Sequence, residues 1–188
     1  MMKIIKDSLK DKSGNGFVWA CVVLLVLLIV FFGLSEDARN HMTTRGVRQG
    51  LESVATTIAT NNYDEIYRSE REGYFSAYTI DDKKTNKWEE KIENDNLDEY
   101  LETALGVQKK GSKYVKETPS GQVEFELTDV EVNIVNPNFA PSDEDKNKET
   151  FTVEITSDLK IYPMFKLGDG DEIIEVKVGA KSGYIPKF

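Results

Sequence analysis

Apolar residues follow three textures along this chain. Phe17–Leu34 is a run of eighteen residues with no charge and no strongly polar group. Beyond it, Val47, Leu51, Val54, Ala55, Ile58 and Ala59 recur at helical spacing. After Lys116 the period becomes two. Val123, Phe125 and Leu127 alternate with polar residues, then Val130, Val132 and Ile134, then Phe151, Val153 and Ile155, then Leu159 and Ile161, then Ile174, Val176 and Val178. Such alternation predicts antiparallel strands with one buried face.

The first two textures predict one long helix from about Gly16 to Tyr67, apolar all round in its first half and amphipathic in its second. Gly46 and Gly50 weaken that helix by up to ~1 kcal/mol each without ending it. A second helix is expected over Lys87–Leu105, with Trp88, Ile92, Leu97, Tyr100, Leu101, Ala104 and Leu105 on its apolar face and Gly106 as its stop. Asn94-Asp95-Asn96 is a point where it divides. Tyr74, Phe75 and Tyr78 make an aromatic patch before the polar turn Asp81–Lys84. Asn136-Pro137-Asn138 and Gly168–Asp171 read as turns between strands. The fold class predicted is α+β: an N-terminal transmembrane helix continuing into an amphipathic helix packed on a C-terminal antiparallel sheet.

The apolar run covers ~27 Å as a helix, near the ~30 Å hydrocarbon core of a bilayer. A cleaved export signal has a core of only ~7–15 residues and a small-x-small site behind it. Here Gly33-Leu34-Ser35-Glu36-Asp37 follows, so a retained span is expected. Lys3, Lys6, Lys10 and Lys12 precede the run and place the N-terminus on the cytoplasmic side and the remainder outside. The organisation read from this is a basic leader 1–16, a transmembrane helix 17–34, an amphipathic extension 35–72 and an extracytoplasmic domain 73–188.

Charge narrows the partners. The chain has 24 basic and 33 acidic residues; without Met1–Gly16, which holds four lysines and two aspartates, 20 and 31 remain, a net charge near −11. That excludes nucleic acid, whose binding requires neutralised phosphates, and disfavours anionic head groups as a ligand of the outer domain. The partners expected are membrane lipid, through the stem, and other proteins. Cys21, the single cysteine, lies inside the apolar run and reads as a small apolar residue of a membrane helix, so the outer domain has no disulfide of its own.

Catalytic chemistry has little to draw on. His41 is the sole histidine, and a Ser–His–Asp triad would have to be built around it close to the lipid surface. No P-loop, zinc-protease or paired-cysteine pattern occurs. Two acidic segments, Ser142-Asp143-Glu144-Asp145 with Asn147 and Glu149, and Asp169, Asp171 and Glu172, offer oxygen ligands but not the EF-hand spacing, and read as solvated turns. No catalytic residue, cofactor or metal is expected, and no enzyme.

Gly14-Asn15-Gly16-Phe17-Val18-Trp19-Ala20 resembles the stem opening of TadE/TadG-like pseudopilins of tight-adherence (Flp-type) pili, whose pattern is close to G-[small]-x-x-V-E-F. Arg45-Gly46-Val47-Arg48-Gln49-Gly50 and Val54–Ala59 are similar to the Arg-, Val- and Ala-rich stretch those proteins carry outside the membrane. The ending Gly183-Tyr184-Ile185-Pro186 is similar to their last strands. The resemblance covers about the first seventy residues in detail and the rest in architecture. It implies a pilin-like fold, a candidate prepilin cleavage junction at Gly14, Asn15, Gly16 and Phe17, and as partners other pilins, pseudopilins and pilus-assembly proteins. Counted from Asn15, the fifth position is Trp19, where the family pattern has glutamate; counted from Phe17 it is Cys21. In the family that glutamate neutralises a neighbour's amino terminus during assembly.

Two readings of function follow. One is a minor pilin or pseudopilin of an Flp-type pilus or related secretion filament. The other is a permanently anchored, single-pass extracytoplasmic accessory or binding protein without pilin processing. A membrane-anchored hydrolase has no residues to support it, and a sensor would need an output module larger than a sixteen-residue leader.

Overall fold

The computed structural model describes residues 15–62, 66–67, 77–80, 88–92, 96–137, 150–164 and 173–183. Contacts divide the chain into two units, Met1–Met42 and Thr43–Phe188. Helix α1 (Asn15–Asn61) begins in the first and ends in the second. In chain order there follow β1 (Tyr78–Ile80), β2 (Trp88–Glu90), α2 (Leu97–Leu105), β3 (Gln108–Lys110), β4 (Lys113–Glu117), β5 (Val123–Val135), β6 (Thr152–Ile161) and β7 (Ile174–Gly183). The layout is α+β, as expected.

In the second unit β3 to β7 form one antiparallel sheet in sequence order, each strand beside the next. The amphipathic part of α1 packs against it. All six residues of the expected stripe, Val47, Leu51, Val54, Ala55, Ile58 and Ala59, are buried. They share a core with Phe125, Leu127, Phe151, Val153, Ile155, Leu159, Ile161 and Val178 of the sheet region and Leu101 and Leu105 of α2. A fully buried Leu or Ile contributes ~1.5–3 kcal/mol, which outweighs the helix-propensity cost of Gly46 and Gly50 and keeps α1 unbroken through both. The unbroken helix ends at Asn61, short of the expected Tyr67. The buried Asn62 side chain donates to the Ile58 carbonyl (2.8 Å), which also accepts the Asn62 backbone N–H (3.3 Å). Ile66 and Tyr67 are again helical.

Two expectations on the middle of the chain are corrected. Of the expected helix on the two sides of Asn94–Asn96, only Leu97–Leu105 is helical among the described residues, and Trp88–Glu90 instead pairs antiparallel with Tyr78–Ile80. The apolar stripe explains the difference, because the step from Ile92 to Leu97 is five residues and breaks the face that Leu97, Leu101 and Leu105 share. Gly106 does end α2, with φ +63° and its N–H on the Glu102 carbonyl (2.8 Å). The sheet also starts earlier than expected: β3 and β4 form a hairpin across Gly111-Ser112, with Gly111 at φ +67°. Residues 123–135 form a single strand, within which the alternation changes face. Its apolar phase moves from odd positions (Val123, Phe125, Leu127) to even ones (Val130, Val132, Ile134) through a bulge. β5 places Asp129 and Val130 opposite Ser157 alone, with Asp129 at φ +51°. The buried Ser157 hydroxyl donates to the Thr128 carbonyl (2.9 Å) and closes the gap. Tyr74, Phe75, the Asp81–Lys84 turn and the Gly168–Asp171 turn lie outside the described residues.

Candidate functional site

The first unit offers a surface rather than a pocket. Among its described residues, the side chains of Phe17, Val18, Trp19 and every large apolar residue from Val22 to Leu34 are exposed on α1, Phe17 to 76%. Among the described residues nothing covers them. The helix is long and apolar enough to cross a membrane. Of the candidate cleavage junction, Gly14 lies outside the described residues, and Asn15, Gly16 and Phe17 form the first turn of α1. Cys21 is exposed on the same surface. Polar character resumes with Glu36, which accepts from the Arg39 guanidinium at 2.7 Å. His41 stands 3.9 Å from Asp37, both well exposed, a loose surface contact rather than the short, oriented bond that a catalytic base requires.

In the second unit one set of polar groups converges around Asp98. This residue sits in the first turn of α2, where the helix dipole favours a carboxylate. Its Oδ2 accepts from Lys109 Nζ (2.6 Å), and its Oδ1 accepts from the Tyr114 hydroxyl. Lys109 also lies 5.8 Å from the Tyr114 ring centroid. Hydrogen bonds from Lys109 and then Tyr114 hold the Asp98 carboxyl below its ordinary value. Burial first, and the bond to Asp98 second, push the Tyr114 phenol up to about 12. A carboxyl kept ionised and a phenol kept neutral are poor proton donors and nucleophiles near neutral pH. The cluster fastens α2 to the β3–β4 hairpin. Lys116 adds a second tie, donating to the Leu105 carbonyl at the C-terminus of α2 (2.7 Å).

Asn136, read from sequence only as a turn residue, has a larger part. Its Oδ1 accepts the Ala77 N–H (2.7 Å), and its Nδ2 donates to the Ala77 carbonyl (3.3 Å) and to Glu90 (2.8 Å). One side chain thus mimics a strand partner and holds the β1–β2 hairpin to the end of β5.

The sequence reading names neither Asp98 nor Tyr114 and gives Asn136 only as a turn residue. The Gly111-Ser112 pair between Lys110 and Lys113 was a legible hairpin signal that would have placed Tyr114 in a strand. Nothing local marks Asn136 as a clasp, because its partners lie 46 and 59 residues away. Among the described residues no group of three or more His, Cys, Asp or Glu side chains could hold a metal ion. Both acidic segments, Ser142–Glu149 and Asp169–Glu172, lie outside the described residues. No protein family, curated protein or solved structure matches the chain.

Proposed function

We propose that this chain is a minor pilin-like, membrane-anchored protein that takes part in assembling an Flp-type (tight-adherence) pilus or a related secretion filament. The observation that carries the reading is α1: one helix, apolar on all sides over Phe17–Leu34, then amphipathic and buried against an antiparallel sheet. Fourteen of those eighteen residues are Leu, Ile, Val or Phe. At ~0.3–0.6 kcal/mol each they contribute roughly 4–8 kcal/mol to insertion in a bilayer, with no charge in the run to oppose it. The N-terminus lies on the cytoplasmic side and the acidic domain outside. The stem stays in lipid until packing with neighbouring stems replaces it, an exchange governed by side-chain fit because lipid and leucine are equally apolar. The outer domain then selects neighbouring subunits and assembly proteins.

Trp19 favours a second reading, a permanently anchored accessory protein. Where the pseudopilin pattern has an acidic residue, this stem presents an indole, 57% exposed, a side chain suited to the membrane interface. Intact mass and N-terminal sequencing of protein from its native membrane separate the two. A chain beginning at Asn15 or Phe17 establishes processing and supports the pilin reading. A chain retaining the leader leaves the fixed anchor, and recovery in the soluble fraction overturns both.

A further inference from the structure

β7 is the outermost strand of the five-stranded sheet, ten residues long, and among the described residues no strand pairs with its outer side. The other edge, β3, has three residues. Short edges are a common protection against strand addition, and a long regular edge lacks it. Lysines on an edge are another protection, and β7 carries Lys177 and Lys181, but it also carries Glu175 on the same face.

We propose that two copies of this chain join edge to edge through β7, antiparallel, with Val178 on the two-fold axis. The charge pattern of the strand selects that register. An antiparallel pair that keeps both cores on the same side of the sheet must match residues of the same face. With the axis on Lys177, that lysine faces itself; with the axis on Gly179, Lys177 faces Lys181. Axes on Val176 and on Ala180 also avoid like charges, but the first pairs only Ile174–Val178 and the second sets Lys177 and Lys181 opposite glycines, with no ion pair across the edge. The axis on Val178 uses nearly the whole strand. It sets Glu175 of each copy opposite Lys181 of the other, and Lys177 opposite Gly179, where no side chain obstructs it.

The same register continues a pattern already present within one copy. On this face Lys181 is the cross-strand partner of Glu154, and Lys160 that of Glu175, which it contacts at 2.7 Å. Across the joined edge the row becomes Glu154, Lys181, then Glu175 and Lys160 of the second copy, alternating in sign over four strands and repeated by the two-fold. On the core side, Val176 meets Ala180, Val178 meets Val178, and the two apolar faces become continuous. The edge lysines therefore oppose the registers centred on Lys177 and Gly179, and the Glu175–Lys181 pairs favour the one centred on Val178. The proposal does not depend on what the stem does.

Disulfide trapping of the full chain tests it. In a Cys21→Ser background, the chain carrying both Glu175→Cys and Lys181→Cys is oxidised in detergent. Six residues apart on one strand, about 20 Å, the two thiols cannot close within a chain. A disulfide-linked dimer from this chain, but from neither single cysteine variant alone, is the expected result. Association through the stem would link chains without regard to register, so equal yields from a single variant overturn the proposal, as does a double variant that remains monomeric. Charge reversal gives a second reading. Glu175→Lys and Lys181→Glu each place like charges across the edge and weaken self-association roughly tenfold. Mixed, the two variants are complementary and pair with each other, which also shows that both are folded. A mixture that associates no better than its components overturns the proposal.

Discussion

Gly50 lies directly under Leu105: a Cβ on Gly50 would stand 2.1 Å from Leu105 Cδ2 and 2.8 Å from its Cγ. The approach of α2 to α1 therefore depends on a glycine inside a helix. At Gly46, one turn earlier, a Cβ would meet nothing within 4 Å. Gly46→Ala should stabilise the protein by about 0.5–1 kcal/mol through helix propensity. Gly50→Ala gains the same but overpacks a buried leucine at a cost of ~1–3 kcal/mol, for a net loss of about 1 kcal/mol. Denaturant unfolding of the two variants checks the opposite signs.

The bulge at Asp129 should respond to backbone chemistry rather than to charge. At φ +51° a β-branched side chain collides with its own backbone. Asp129→Val is expected to destabilise by about 1–2 kcal/mol, and Asp129→Gly to be neutral or mildly stabilising. Equal losses for both would show that the aspartate side chain matters in its own right.

Asn136→Ala leaves the buried Ala77 N–H without its partner, at an expected cost of about 1–3 kcal/mol. The loss should be local, with amide exchange accelerating at Ala77 and across Tyr78–Ile80 and Trp88–Glu90 before the five-stranded sheet is affected. Asn136→Asp should be worse still, since it turns a carboxylate toward the Ala77 carbonyl and Glu90.

The Asp98–Tyr114 bond links stability to pH at both extremes. The Tyr114 phenol is raised in the folded state from its ordinary 10 to about 12. Its contribution is therefore complete below pH 10 and is lost as pH rises toward 12. Tyr162 is raised as well, mainly by burial, so Tyr114→Phe should remove part of the alkaline loss and not all of it. Asp98 is lowered, so its contribution is present above its ordinary value and disappears as pH falls through the folded one. Asp98→Asn should flatten the acid limb. Urea titrations across both pH ranges measure the two slopes.

The elements most legible in the sequence were those whose periodicity is sustained. The stripe Val47–Ala59 names its six buried residues without error, and β6 keeps its odd-numbered apolar phase from Val153 to Ile161, through the buried Ser157. Short elements were missed or misread. Trp88–Glu90 and Tyr78–Ile80 have three residues each, too few to show a period, and local propensity yields to pairing at that length. The Asp98–Tyr114–Lys109 cluster was illegible for another reason: it joins a helix to two strands, and each residue alone is an ordinary surface type.

What the sequence determined by itself is whatever depends on hydropathy repeated along the chain: an apolar helix of membrane-crossing length, an amphipathic helix with a defined buried face, and an antiparallel sheet. These follow from burying apolar surface at fixed helical and strand periods, which a one-dimensional pattern encodes. The tertiary structure alone decided the bulge of Asp129 and Val130 opposite Ser157, the clasp of Asn136 on Ala77, the seat of Leu105 over Gly50 and the position of β7 at the sheet edge. Each of these depends on which distant segment becomes a neighbour, and only the packed chain settles that.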